Sequence, residues 1–230
     1  STPCRCNTAQ PKMETRLLTI IHVDNSRSDR LIWLCEELGL DYQIDAYLRD
    51  PETGRAGPEF KRLHPYAKAP MLRDDDAVLI ESGAIFEYLM GRHGDAGLQP
   101  APADEDWPAY LQWMHFAEGS AMLPILLDHF QAAGMAGPPG ESALAGMAKD
   151  GMAQLYAYIE SVLAEQEWFA GDRFTAADVM MGWVVEVVLN RGEIEPYPAM
   201  ARYVDKMKAR PAYQRALSRA AEATRTAKAG

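Results

Sequence analysis

Residues 69–89 read APMLRDDDAVLIESGAIFEYL, and this stretch decides the fold of the first half of the chain. Two short apolar runs, at 70–72 and 77–80, flank three consecutive aspartates, and this pattern predicts a β-hairpin. Proline lacks an N–H and fits a strand only at its start or edge, so Pro70 marks where the first hairpin strand begins. A predicted helix then opens at Ser82, with three apolar residues on one face: Ile85, Tyr88 and Leu89.

The segment before the hairpin predicts the rest of the same sheet. Residues 17–23, LLTIIHV, form an apolar run rich in branched side chains, as in a buried strand. Residues 42–48 predict a second strand and residues 59–64 a short helix. Between the first two strands lies a helix whose apolar residues recur at helical spacing: Leu31, Leu34, Cys35 and Leu38. The order β-α-β-α-β-β-α predicts a four-stranded sheet with a parallel first half and an antiparallel hairpin.

The second half of the chain predicts helices only. Residues 91–103, GRHGDAGLQPAPA, are rich in turn residues and mark the predicted boundary between two domains. The predicted helices cover residues 107–131 with a kink at Pro124, residues 144–163, residues 175–189, and two further segments split by Pro211. We therefore expect a sheet-containing domain at 15–93, an all-α domain at 104–230 and a polar tail at 1–14.

Composition and charge exclude several classes of protein. The 230 residues carry a formal net charge of −10, whereas proteins that bind nucleic acid through phosphate contacts are usually basic. No run approaches the roughly 20 apolar residues that cross a bilayer. Three cysteines are too few for a disulfide scaffold. We expect a cytoplasmic globular protein that binds neither nucleic acid nor membrane.

Residues 202–230 reverse this charge, with eight basic side chains against two acidic ones. The ordinary interpretation is a solvated helix face. The alternatives are that this basic helix lies against an acidic body, or that it binds to a membrane surface.

Three short polar side chains, Asn25, Ser26 and Ser28, follow the first predicted strand and start the first helix. The free N–H groups at a helix N-terminus favour anions, so this junction suits a thiolate or a phosphate. Alternatively, Ser26 or Ser28 is an ordinary N-cap. No glycine-rich loop occurs there, which argues against a mononucleotide site.

Glu81 and Ser82 stand at the start of the third predicted helix. A serine hydroxyl and N–H suit a carboxylate and a glutamate suits an ammonium, so the pair fits the α-amino-acid end of a ligand. Plain helix capping is the alternative. Asp178, three residues after Thr175, completes a capping box, which is a folding signal. His22 and His115 have no companion ligands, so we expect no metal site.

Taken together, these segments resemble the cytosolic glutathione S-transferase family over nearly the whole chain from about Thr15. The segments that carry the resemblance stand in the family's order: residues 25–28 and 33–39, residues 69–72 and 78–89, and residues 169–178. Residues 113–120, WMHFAEGS, resemble a bacterial and fungal branch of the serine-type enzymes. The resemblance implies a thioredoxin-like α/β domain followed by an all-α domain, assembled as a homodimer.

The resemblance also implies a site for glutathione as co-substrate. The implied contacts are Lys68, Ala69, Pro70, Met71, Glu81 and Ser82. Pro70 is then cis, and the main chain of Met71 pairs with the cysteinyl part of the tripeptide. Glu81 and Ser82 hold the γ-glutamyl end, and Lys68 sits where the glycyl carboxylate binds.

Ser26 sits where the family keeps its catalytic hydroxyl, and Asn25 is a second donor. Tyrosine is absent from residues 17–30 and cysteine from residues 24–30, unlike in the tyrosine-type and cysteine-type branches. Lowering the pKa of a thiol by about two units takes roughly 2.7 kcal/mol. A hydrogen bond to the thiolate, about 1.5–3 kcal/mol, and a helix N-terminus, about 0.3–1 kcal/mol, together supply it.

The implied second substrate is a small hydrophobic electrophile held between the domains. Tyr110, Met114 and Ala117 recur at helical spacing and are candidates for its apolar wall, with core packing as the alternative. The expected reaction is conjugation for detoxification, with peroxide reduction by glutathione as an open second possibility. A catabolic ether-cleaving or dehalogenating enzyme, and a non-catalytic glutathione-binding protein, are the alternative functions.

Overall fold

The structure is a computed structural model that describes residues 17–51, 54–134, 143–190 and 196–229. Its first part has the predicted order of elements. The strands are β1 (Leu18–Val23), β2 (Tyr42–Tyr47), β3 (Met71–Asp74) and β4 (Ala77–Ile80). The helices are α1 (Asp29–Leu38), α2 (Phe60–Leu63) and α3 (Ser82–His93). The predicted βαβαββα arrangement is confirmed, with bounds that differ by one or two residues.

The four strands form one mixed sheet in the order β2-β1-β3-β4. β1 and β2 are parallel, whereas β3 is antiparallel to both β1 and β4. Met71, the first residue of β3, lies opposite Ile21 of β1 and Ile80 of β4. The carboxyl ends of β1 and β4 and the start of β3 therefore meet at one edge of the sheet.

β1 is buried along its whole length because helices cover both faces of the sheet. Ile20 faces the main core, which it shares with side chains of α1 and α3. The alternate residues Ile21 and Val23 face a smaller core with Phe60 of α2. This two-sided burial explains why the sequence of β1 is continuously apolar.

The second part of the chain is helical. Its helices are α4 (Trp107–Gly119), α5 (Met122–Ala132), α6 (Ala143–Glu165), α7 (Ala176–Asn190), α8 (Pro198–Ala209) and α9 (Pro211–Ala229). The prediction of one kinked helix over 107–131 is wrong, because α4 and α5 are separate. The ring of Pro124 clashes with a helical carbonyl four residues earlier, at Ser120, and the break falls there.

The predicted domain boundary at 91–103 begins slightly too early. Helix α3 continues to His93 and ends where Gly94 takes a φ of 88°, which glycine adopts without a steric penalty. The divisions at 15–93 and 104–230 stay predictions. The tail at 1–14, which contains Cys4 and Cys6, and the Gly-Pro-Pro-Gly segment at 137–140 lie outside the described residues.

The basic C-terminal segment lies against an acidic surface of the first domain. Arg210 donates two hydrogen bonds to Glu37, at 2.6 and 2.7 Å. From α9, Arg215 and Arg219 donate to Glu36 at 2.6 and 3.0 Å. The alternative that this basic helix packs on an acidic body is thus the correct one.

Asp178 stabilises the start of α7, as the capping box predicts. Its carboxylate accepts hydrogen bonds from the N–H groups of Thr175, at 2.8 Å, and Phe169, at 2.9 Å. Asp178 is fully buried, so each of these donors depends on it for a partner. Its role is structural.

We predict that Asp178→Ala lowers the free energy of unfolding by about 2–4 kcal/mol, because it leaves two buried N–H groups without an acceptor. Denaturant unfolding measures the change. Asp205→Ala, at an exposed position of α8, is the control and should cost less than about 0.5 kcal/mol. Equal losses in the two variants would contradict the capping role.

Candidate functional site

The sheet edge at the start of β3 brings the predicted site residues together. Asn25 and Ser26 follow β1, Pro70 precedes β3, and Glu81 and Ser82 follow β4. β1 and β4 are two strand spacings apart, which is about 10 Å. An extended tripeptide spans about the same length.

Ser26 is the start of a buried chain of hydrogen bonds. Its Oγ lies 2.7 Å from Ser28 Oγ and accepts a hydrogen bond from the Ser28 N–H at 3.2 Å. Ser28 Oγ in turn lies 2.9 Å from Nδ1 of His22. Ser26 is 7% exposed and Ser28 is fully buried, so water does not compete for most of these hydrogen bonds.

This geometry rules out the N-cap interpretation for Ser28, whereas the Ser26 hydroxyl accepts from the Ser28 N–H two residues later, as a capping serine does. Ser28 occupies the N-cap position of α1, but its side chain makes no capping hydrogen bond. The hydroxyl instead turns back to the strand, where it accepts a hydrogen bond from the Val23 N–H at 3.3 Å. The N–H groups of Asp29 and Leu31 donate to the carbonyl oxygens of Ser26 and Ser28, at 3.1 and 3.0 Å, so α1 favours an anion near Ser26 through its dipole.

His22 belongs to the site, although its sequence context predicted only a structural or pocket-lining role. Its Nε2 lies 3.4 Å from Oγ1 of Thr224 in α9, and its Nδ1 lies 3.6 Å from a carboxylate oxygen of Asp29. Burial lowers the pKa of His22, so the ring is neutral at neutral pH. Burial, together with Glu186 and Asp24, raises the pKa of Asp29 to about 7.

Arg49 holds the turn that carries Asn25. Its guanidinium donates to the carbonyl oxygens of Asp24, at 3.0 Å, and Asn25, at 3.1 Å. Asn25 is exposed and has a φ of 51°, a left-handed conformation that asparagine tolerates better than most residues. Sequence reasoning did not find Arg49, because the contact joins residues 24 apart through fold alone.

The Ala69–Pro70 peptide bond is cis, which confirms the expectation from the resemblance. Met71 is fully buried and has a neighbouring strand on each side. Ala69 lies outside β3 and is half-buried. The main chain that is free of the sheet is therefore that of Ala69, before the proline.

Ser82 has a buried hydroxyl with no partner. The residue is 2% exposed, and within the described ranges its Oγ has no hydrogen-bond partner. Glu81, at the N-cap position of α3, is exposed, has a φ of 72° and makes no capping hydrogen bond. Plain capping therefore explains neither residue. A buried hydroxyl without a partner at a helix N-terminus suits a bound carboxylate.

The other predicted contacts differ in their surroundings. Lys68 is exposed and, in the part of the chain that the structure describes, makes no ion pair.

The three candidates for the electrophile pocket lie on α4. Tyr110, Met114 and Ala117 are 2%, 4% and 0% exposed and belong to the main core. This burial, on the face of α4 that packs on α7, favours the core-packing alternative, and a role in an electrophile pocket stays a prediction.

An ion-pair cluster connects the turn after β1 to α4. Arg27 and Arg30 both donate to Glu118, Arg30 at 2.8 Å. The side chain of Arg30 is 1% exposed, and burial lowers its pKa to about 10, so it keeps its charge at neutral pH. Sequence patterns gave no signal for this cluster, since its members are about 90 residues apart.

A surface cavity of about 260 Å³ lies elsewhere, between the end of α6 and α8. Its charged lining includes Glu165, Arg202 and Lys206, and it contains none of the predicted site residues.

Among the described residues, no group of three or more His, Cys, Asp or Glu side chains is placed to hold a metal ion. No described helix is both long and apolar enough to span a bilayer.

Cys35 is fully buried, and burial raises the pKa of its thiol to about 12. This agrees with its predicted place in the core. Because the thiolate is the reactive form, Cys35 does not act as a nucleophile at neutral pH.

Comparison with known proteins identifies the family. Residues 18–91 match the family model of the glutathione S-transferase N-terminal domain, and residues 137–217 match that of the C-terminal domain. A glutathione S-transferase 3 of Schizosaccharomyces pombe is 32% identical over 91% of this chain and 90% of its own length. The chain belongs to the glutathione S-transferase family. This confirms the resemblance and the fold class, whereas the serine-type branch stays a prediction.

Solved structures of the glutathione S-transferase family superpose well on this chain. One from Actinobacillus pleuropneumoniae has a TM-score of 0.78 and 29% identity, covering 89% of this chain and 93% of its own. A glutathione transferase of Phanerochaete chrysosporium, solved with oxidized glutathione, has a TM-score of 0.71 and 24% identity, covering 92% and 98%. At this identity the second likeness concerns the fold.

We predict that Glu118→Ala lowers the free energy of unfolding by about 3 kcal/mol, because it leaves the buried charge of Arg30 without a partner. The double variant Arg30→Met with Glu118→Leu should recover most of this loss, since it removes both charges. Denaturant unfolding measures both, with Glu87→Ala on the exposed side of α3 as control. A Glu118→Ala variant as stable as the control would show that the cluster contributes nothing.

Proposed function

We infer that this member of the glutathione S-transferase family is a glutathione transferase that binds glutathione across the edge of its sheet. The observation that carries the assignment is the buried, unpartnered hydroxyl of Ser82. It lies two strand spacings from Ser26, so one extended tripeptide reaches both.

The γ-glutamyl end of glutathione binds at the start of α3. Its α-carboxylate accepts hydrogen bonds from Ser82 Oγ and from the free N–H groups of the first turn, where the helix dipole favours a negative charge. Glu81 is exposed beside this position and binds the α-ammonium group. Glu81 has a φ of 72° and makes no capping hydrogen bond, so its carboxylate is not used by the helix that it precedes.

The cysteinyl part of glutathione pairs with the main chain next to Pro70. Ala69 is the better partner than Met71, because Met71 lies between two strands and Ala69 lies outside the sheet. Ala69 stands two residues before Met71, which lies opposite Ile21 near the end of β1. Lys68 is exposed and binds the glycyl carboxylate from solvent.

The thiol of glutathione then lies at Ser26. A hydrogen bond from its hydroxyl to the thiolate contributes about 1.5–3 kcal/mol, and the N-terminus of α1 adds about 0.3–1 kcal/mol. Ser26 acts as a hydrogen-bond donor, and Asn25 beside it is a second donor. No protein cysteine takes part, in keeping with the buried, protonated Cys35.

The thiolate attacks a small hydrophobic electrophile and displaces its leaving group beside the Arg27–Glu118 pair that borders the turn. In peroxide reduction it attacks a peroxide oxygen, the O–O bond breaks with release of an alcohol, and a second glutathione then displaces water to give oxidized glutathione. Cytoplasmic detoxification is the setting that we propose. Nothing in the comparisons favours the ether-cleaving, dehalogenating or non-catalytic alternatives. Turnover of chlorodinitrobenzene and of cumene hydroperoxide separates conjugation from peroxide reduction.

Two serine variants test the two ends of the glutathione site independently. Ser26→Ala should raise the apparent pKa of the bound thiol by about one unit or more, with little change in affinity. Ser82→Ala should weaken glutathione binding by about tenfold and leave that pKa unchanged. Thiolate absorbance and calorimetry measure the two quantities.

The matched control is Ser218→Ala, at an exposed position of α9. If Ser26→Ala leaves the pKa of the thiol unchanged, Ser26 is not the donor. If Ser82→Ala binds as tightly as the unmodified protein, the γ-glutamyl end binds elsewhere.

We also propose that the protein is a homodimer. The outer face of α5 supports this, because three exposed apolar side chains recur there at helical spacing: Leu123, Leu126 and Phe130, which are 61%, 39% and 38% exposed. Light scattering should give about twice the chain mass of 25.5 kDa. Leu123→Glu should favour the monomer, whereas Leu217→Glu on α9 should not. A monomeric unmodified protein would overturn the proposal.

A further inference from the structure

The buried hydrogen bonds of the site continue beyond Ser26 and Ser28 into the helical domain. They run from Thr224 in α9 through both nitrogens of His22 to Ser28 and Ser26. Each of these four residues is at most 7% exposed. Any role for them in the reaction rests on the proposed function, in which Ser26 donates a hydrogen bond to the glutathione thiolate.

Ser28 has one hydroxyl proton and two lone pairs to share among its neighbours. The Val23 N–H, at 3.3 Å, occupies one lone pair, and the Val23 carbonyl oxygen, at 3.4 Å, is the longest contact open to the Ser28 proton. His22 Nδ1, at 2.9 Å, and Ser26 Oγ, at 2.7 Å, are the shorter contacts. The Ser28 proton therefore goes to one of these two groups, and the other donates to the remaining lone pair of Ser28.

The tautomer of His22 therefore decides in which direction the hydroxyl groups of Ser28 and Ser26 donate their hydrogen bonds. If Nδ1 carries the proton, His22 donates to Ser28 and Ser28 donates to Ser26. Ser26 then accepts from both the hydroxyl and the N–H of Ser28, and its own proton points outward to a ligand. If Nε2 carries the proton, Ser26 must donate to Ser28 and presents only a lone pair to the thiolate.

Two neighbours favour the proton on Nδ1. Thr224 Oγ1 lies 3.4 Å from Nε2, and a lone pair there gives the Thr224 hydroxyl an acceptor that no other described residue is seen to supply. A carboxyl oxygen of Asp29 lies 3.6 Å from Nδ1, and this group, whose pKa is about 7, favours a proton on that nitrogen in its ionised form. Asp24, in the turn after β1, also faces the ring and favours positive charge there.

We propose that His22 and Thr224 are positioning residues that orient the buried hydrogen bonds so that Ser26 donates outward to the thiolate of glutathione. Neither residue touches the reacting atoms. Because Thr224 lies in α9, the C-terminal helix contributes to the activation of a thiol bound by the other domain.

The direct test is the tautomer of His22 in the full-length protein. Nitrogen-15 NMR of histidine-labelled protein with bound glutathione distinguishes a protonated ring nitrogen from an unprotonated one. The chain has five histidines, and the signals missing from His22→Asn identify those of His22. We expect the proton on Nδ1. A proton on Nε2 would overturn the proposal.

The functional test compares variants that remove or keep each donor, read out as the apparent pKa of the bound thiol. His22→Leu removes the donor to Ser28 and should raise this pKa by about one unit, whereas His22→Asn keeps an N–H near that position and should restore it. Thr224→Val should also raise the pKa, and Thr224→Ser should restore it.

The Thr224 pair keeps the test decisive if His22→Leu fails to fold, because valine matches the size of threonine. Equal pKa values for Thr224→Val and Thr224→Ser would overturn the role of Thr224.

The proposed function and the positioning role of His22 and Thr224 are contradicted by different results. An unmodified protein that leaves the thiol pKa of glutathione unchanged contradicts the proposed function. One that lowers it while His22 carries its proton on Nε2 contradicts this inference alone.

Discussion

The hydrogen bond between the hydroxyls of Ser26 and Ser28, 2.7 Å long, is the interaction on which the site depends. It fixes where the Ser26 hydroxyl can point, because Ser28 is itself held by β1 through Val23 and His22. A hydroxyl in a flexible turn would rotate and lose much of its preference for one ligand atom. Here β1, Arg49 and Thr224 of α9 hold the turn and its hydrogen bonds in place before any ligand binds.

The register of the sheet supplies the second constraint. Because β3 is antiparallel to both neighbours, three chain segments that are far apart in sequence converge at one edge. Each segment offers a different group: a hydroxyl after β1, a free main chain before β3, and a helix N-terminus after β4. In the proposed function these groups match the thiol, the peptide and the α-carboxylate of glutathione in that order.

Local sequence patterns predicted the fold well and the site in part. The apolar run of β1, the hairpin around 69–89 and the helical periodicities are short-range signals. Each predicts which side chains are buried, and the structure buries side chains of these segments. The residues between β4 and α3 were also found, since a serine at a helix start has a local signature. The break at Ser120 was missed because the pattern located Pro124 and not the carbonyl that its ring excludes.

The rest of the site depends on contacts that only the folded chain creates. Thr224 meets His22 across 202 residues, and Glu118 meets Arg30 across 88. No periodicity or residue spacing in the sequence indicates that these distant residues are in contact. Tyr110, Met114 and Ala117 show the converse, because one apolar helix face fits a pocket wall and a core equally well until its neighbours are known.

The most direct measurement is a crystal structure of the full-length protein with glutathione at millimolar concentration. We predict the glutathione sulfur within hydrogen-bond distance of Ser26 Oγ and the γ-glutamyl carboxylate on Ser82 Oγ. A sulfur atom directed away from the turn after β1, or an empty cleft at that concentration, would contradict the account.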